Sequence, residues 1–121
     1  LVGMDMPLVY PDSGRFGISQ NELVETQAAC TAKMGPIKAA CMTVAGGVHA
    51  GTVPYLMDLL GWDNMLMAGG GIYGHPMGGE AGAASILQAM HAVMSGVPLE
   101  EAAQEHAELS AALAVWGKKG G

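Results

Sequence analysis

The sequence predicts an α/β fold made of successive β-α units on a parallel sheet. Strand-like apolar runs alternate with helical stretches along the chain, an order that brings parallel strands and right-handed crossovers. The run Ile37–Ala45 is mostly apolar with little alternation, as expected of a strand buried on both faces. A third observation concerns completeness. Half of the 121 residues are apolar, 13% are charged and ten are Met, which is little polar surface for a small free-standing domain.

The first strand is expected at Met6–Tyr10, closed by the turn cluster Pro11-Asp12-Ser13-Gly14. Ser19 and Glu22 form an S-x-x-E capping box, opening a helix that runs to about Met34 and stops at Gly35-Pro36. Ile37–Ala45 is the second strand, ended by Gly46-Gly47. Thr52 caps a short helix, Val53–Leu60, with Gly61 just past its end. The third strand, Asn64–Ala68, runs directly into Gly69-Gly70-Gly71. A small-residue helix follows over about Gly79–Ser95, and Gly96-Val97-Pro98 breaks the chain before a last helix, Leu99–Trp116. Three strands cannot close a barrel and would leave apolar edges unpaired. Leu1-Val2-Gly3 also reads as the end of a helix with its glycine stop. The expectation is therefore a fragment, a single piece of one domain over residues 1–121.

Five Lys/Arg against eleven Asp/Glu give a net charge of −6, which argues against a nucleic-acid partner. No apolar stretch is long enough for a membrane span. Cys30 and Cys41 lie in no CxxC and are expected as buried free thiols. The methionines are expected to fill the core, and Lys118-Lys119 is expected to be a tail.

Two glycine clusters, Gly46-Gly47 and Gly69-Gly70-Gly71, each directly follow a strand. Glycine lets backbone N–H groups approach an anion with no Cβ in the way, and in (β/α)8 barrels the loops after strands 7 and 8 often make a phosphate site. The pair favours phosphate binding over tight turns alone. Gly69-Gly70-Gly71-Ile72-Tyr73-Gly74 also satisfies G-x-G-x-x-G. Gly74-His75-Pro76 interrupts it, and the acidic strand end of a dinucleotide fold is missing. His49 and His75 fall in loops after strands, where a place in a site wall and a structural role are both open. His91 and His106 fall inside helices as surface or packing residues. Arg15, the single Arg, sits in the loop leaving the first strand, as a solvated charge or as an anion contact.

Ala45-Gly46-Gly47-Val48-His49, followed after a short helix by Ala68-Gly69-Gly70-Gly71-Ile72-Tyr73-Gly74-His75-Pro76-Met77-Gly78, resembles the end of the RuBisCO large chain. That family carries S-G-G-[IV]-H and G-G-G-x-x-G-H-P-x-G at similar spacing. The resemblance covers nearly the whole chain. It implies the C-terminal portion of a (β/α)8 TIM barrel, strands 6–8 with their following helices, lacking the N-terminal domain and strands 1–5. It also implies that Gly47, Gly69 and Gly70 offer N–H groups to one substrate phosphate, with Gly46 shaping the turn and His49 beside it. Arg15 falls where carboxylases of the family carry a mobile-loop Lys. Ala45 and Leu8 fall where they carry a Ser and a His that bind a second phosphate.

These departures are similar to those of the RuBisCO-like proteins. The resemblance implies a Mg2+-dependent enolase or isomerase acting on a monophosphorylated ketose or diketone, with the methionine-salvage enolase as the leading case. Alternatives are a divergent carboxylase and a non-catalytic sugar-phosphate binder. Mg2+ ligands are expected upstream of this chain, the fragment alone is expected to be inactive, and the full-length parent is expected to be a cytoplasmic homodimer or larger.

Overall fold

The computed structural model of the chain describes residues 4–11 and 17–119. Strands β1 (Leu8–Val9), β2 (Met42–Ala45) and β3 (Asn64–Met67) form one parallel sheet in the order β1-β2-β3. Six α-helices accompany them among the described residues: α1 (Gln20–Thr31), α2 (Val53–Leu60), α3 (Gly69–Tyr73), α4 (Gly79–Ser95), α5 (Leu99–Glu105) and α6 (Ala107–Trp116), with a 3-10 turn over Ala50–Thr52 leading into α2. The expected β-α alternation and parallel sheet are both present. The capping box is there too: Glu22 N–H donates to Ser19 Oγ at 3.3 Å, and Ser19 N–H donates to Glu22 at 2.8 Å.

The register explains which side is core. Val9, Val44 and Leu66 align across the sheet and point into the helix-covered side, where Leu23, Leu56, Ile86 and Leu109 pack. Leu8, Thr43 and Met65 form a row on the other face, with Ala45 and Met67 in the next. Leu8, Met65 and Met67 on that face are 46%, 43% and 51% exposed, so the edge strands are covered on one side only. Burial on both faces holds for β2 alone.

Several expectations change. The second strand begins at Met42, because Ile37–Cys41 finds no continuous ladder partner. Its amides are tied singly, Ala40 N–H to Cys30 O and Cys41 N–H to Asp5 O. Helix α1 ends at Thr31, and a tight turn around Gly35 (φ 60°) joins Met34 to Ile37. Gly69–Tyr73 is a helical turn where an open loop was expected. The last helix divides at His106, which is extended (φ −128°, ψ 104°) and lies between helices. The break lets Gln88 of α4 accept the Leu109 N–H of the new first turn at 3.1 Å. Only Met42 and Met57 are fully in the core among the methionines, and both cysteines are free but half-buried. The first three residues, Asp12–Gly14 of the turn cluster, and Arg15 lie outside the described residues.

Candidate functional site

All three strands run the same way, so their C-terminal ends share one edge of the sheet. Gly46-Gly47 follow β2 there, and Gly69–Gly71 follow β3. Gly46 and Gly47 take φ of +83° and +67°, a left-handed turn that side chains with a Cβ resist. It swings the chain out of the sheet toward His49.

Glycine serves two different ends in the second cluster. A Cβ on Gly71 would strike the Val48 carbonyl and lie 2.8 Å from His49 Cα. Gly71 therefore locks the β3–α3 junction onto the β2–α2 loop and brings the two clusters side by side. Gly74 and Gly82 are likewise held by close backbone approach. Gly69 and Gly70 are different. Neither has a left-handed φ, and a Cβ on either would meet nothing within 4 Å. Fold and packing give no reason for glycine at these two positions. Their amides lie in the first turn of α3, beyond reach of any carbonyl of that helix.

His49 is fixed from several sides. Its N–H donates to Thr52 Oγ1 at 3.0 Å, and Thr52 Oγ1 donates to His49 O at 2.8 Å. Thr52 thus sits at the expected cap position but turns its hydroxyl back to His49 and not forward into α2. The imidazole stacks on Trp116, centroids 5.4 Å apart and planes at 26°. Its Nδ1 is buried without a partner. Burial, and secondarily the charge of Lys119, lower its pKa below the ordinary 6.5, which favours the neutral ring.

His75, open between two roles in the sequence, is structural. It is buried; its Nδ1 accepts the Met77 N–H at 3.1 Å and its Nε2 lies 2.9 Å from Glu108 O. That pairing requires a proton on Nε2 and uses both nitrogens. Trp116 leans on it as well, centroids 6.1 Å apart. Ala45 lies on the same face of the sheet as Met67, in the row next to Leu8, so that face is apolar apart from Thr43, whose buried Oγ1 has no hydrogen-bond partner. Lys118 and Lys119 do not form a loose tail. Lys118 pairs with Glu100 at 3.2 Å, and Lys119 N–H donates to Gly51 O at 3.1 Å. Trp116 and Lys119 were missed as site residues because their nearness to His49 comes from the packing of α6 and has no local signal. Among the described residues, no three His, Cys, Asp or Glu side chains come together as a metal site, and no helix is long and apolar enough to cross a membrane.

Residues 18–116 match the family described as ribulose bisphosphate carboxylase large chain, catalytic domain. The ribulose bisphosphate carboxylase of Archaeoglobus fulgidus is 46% identical over 109 residues, covering 89% of this chain and 22% of that protein. A ribulose bisphosphate carboxylase-like protein of Allochromatium vinosum is 43% identical over 120 residues, covering 98% and 26%. Among solved structures, the octameric ribulose-1,5-bisphosphate carboxylase/oxygenase of Pyrococcus horikoshii superposes with a TM-score of 0.86 at 31% identity, over 97% of this chain and 28% of that one. The chain thus spans about a quarter of the length of the relatives it matches, and its fold is a partial region of their (β/α)8 barrel.

Proposed function

The chain belongs to the RuBisCO large-chain family, and from that membership we propose that it is the phosphate-binding portion of a longer RuBisCO-like enzyme. The observation that carries this reading is the pair Gly69 and Gly70, glycines with open space where a Cβ would stand. Their amides, with that of Gly47 from the adjoining loop, cradle one phosphate of the substrate, acting as fixed donors. Neutral His49 stands beside the cradle as a site wall and hydrogen-bonding group. Arg15, at the position where the family's carboxylases carry a Lys, supplies a guanidinium that suits phosphate or carboxylate.

The reaction class follows from the opposite wall. Ala45 and Leu8 stand where the family's carboxylases carry a Ser and a His for a second phosphate, and with the Thr43 hydroxyl as the polar group left beside them on that face we read the substrate as monophosphorylated. We assign enolisation of such a ketose or diketone, the methionine-salvage enolase step being the leading case. Magnesium, when bound, would stabilise an enediolate. The described residues do not fit that ion, so its ligands come from chain outside them, and this segment's part is to bind and orient substrate. Assembly as a homodimer or larger, in the cytoplasm, completes the proposal.

The test uses the full-length protein with Mg2+ and bicarbonate. Solvent-proton exchange on the methionine-salvage diketone phosphate, with no carboxylation of ribulose bisphosphate, is the expected result. Carboxylation would reject the assignment in favour of a divergent carboxylase, a second reading favoured by the 46% identity to the Archaeoglobus fulgidus enzyme. Phosphate binding with neither activity would make the protein a non-catalytic sugar-phosphate binder.

A further inference from the structure

The segment that follows α6 is fastened across the β2–α2 loop by contacts that account for two glycines. Gly117 takes φ +68° and turns the chain out of α6. Its carbonyl then lies so close to Gly51 that a Cβ there would collide with it. Gly51 is glycine, in this structure, because the C-terminal segment crosses it. Trp116 stacks on His49 on one side of that crossing, and Lys119 N–H bonds Gly51 O on the other. The Lys118–Glu100 pair adds a third tie.

This crossing decides where the cations lie. The five Lys/Arg are Arg15, Lys33, Lys38, Lys118 and Lys119, and Arg15 lies outside the described residues. Lys33 follows α1 and Lys38 precedes β2, at the end of the sheet away from the glycines. Lys118 is engaged by Glu100. Lys119 alone among the described cations shares a small cleft with Gly46 and Gly47, together with Pro11 and Tyr55. Its ammonium stands 5.3 Å from the centre of the Tyr55 ring, a contact that steers a cation without neutralising it.

We propose that Trp116–Lys119 is a strap over the β2–α2 loop and that Lys119 brings its ammonium to the Gly47 side of the phosphate cradle. This rests on the phosphate reading above and adds to it a residue from the far end of the chain. Backbone amides give a phosphate direction but little charge, and a compact ammonium on a flexible stem supplies the charge. The depressed pKa of His49, to which the Lys119 charge contributes, agrees with an ammonium near this loop.

The test measures binding of inorganic phosphate to the full-length protein by calorimetry, for wild type, Lys119→Gln, Lys119→Arg, Gly51→Ala and Gly70→Ala. Lys119→Gln is expected to weaken binding roughly five- to tenfold, and Lys119→Arg to restore most of it. Gly51→Ala, which dislodges the strap, should weaken binding by a similar factor with no further loss when combined with Lys119→Gln. If Lys119→Gln binds like wild type while Gly70→Ala does not, the strap proposal fails and the phosphate reading stands. If neither variant weakens binding, both fail together. Additive losses in the double variant would overturn the link between strap and ammonium.

Discussion

Replacing Gly70 by alanine separates the two uses of glycine in the Gly69–Gly71 run. A methyl at Gly70 meets no atom within 4 Å, and no left-handed φ opposes it. Lower backbone entropy in the unfolded chain should therefore leave stability unchanged or raise it by about 0.5 kcal/mol. The same methyl occupies the space in which a phosphate oxygen would approach the amides. Loss of one charge-assisted hydrogen bond costs about 1.5–3 kcal/mol, or about 10- to 150-fold in Kd at 1.4 kcal/mol per tenfold. Gly71→Ala is the contrast. Its Cβ would lie 2.8 Å from His49 Cα and 2.9 Å from His49 Cβ, and backbone cannot swing aside as a side-chain tip can. Overpacking of this kind costs roughly 1–3 kcal/mol. Chemical denaturation and phosphate calorimetry on the full-length protein read both effects. A Gly70→Ala protein that is stable and binds phosphate as tightly as wild type would refute the argument from open space.

Other perturbations test the surroundings of the site. Trp116→Ala removes the ring packed between His49 and His75 and should cost about 3 kcal/mol in denaturant unfolding, with Trp116→Phe recovering much of it. Gln88→Ala leaves the Leu109 N–H without its side-chain acceptor and Glu108 without its donor. A loss of about 1 kcal/mol is expected, seen as a lower unfolding midpoint. His49 has a folded pKa below its ordinary 6.5, so between the two values the unfolded chain binds more protons. Its contribution to stability is complete above pH 6.5 and is lost as pH falls through the folded value. The difference in unfolding free energy between wild type and His49→Phe should accordingly shrink as the solution is acidified; a difference independent of pH between 7 and about 5 would contradict the neutral-ring assignment.

Much of the frame was legible in the residues because it rests on local chemistry. The Ser19–Glu22 box, the Gly61 and Gly96 stops and the α4 span depend on neighbours a few positions apart, and these were read correctly. The two glycine clusters were legible as a pair because a parallel sheet carries successive strand ends to one edge. What lay beyond local chemistry was misread. Ile37–Cys41 has a strand's composition, yet a ladder needs a partner, and β1 offers pairing only from Leu8. Glu105-His106-Ala107 contains no breaker, yet the helix divides there so that α6 can lie on α4 and take its cap from Gln88.

By itself the sequence determined the α/β order, the placement of glycine at strand ends and the apolar residues at Leu8 and Ala45, since composition and short-range spacing suffice for these. Tertiary structure decided which glycine does what: Gly71 and Gly51 are set by backbone from elsewhere in the chain, whereas Gly69 and Gly70 face open space. It also decided that His75 is a girder, that His49 is a half-buried ring stacked on Trp116, and that Lys119 stands beside Gly46 and Gly47. Those facts depend on contacts between residues tens of positions apart, and no periodicity or motif in one chain encodes such distances.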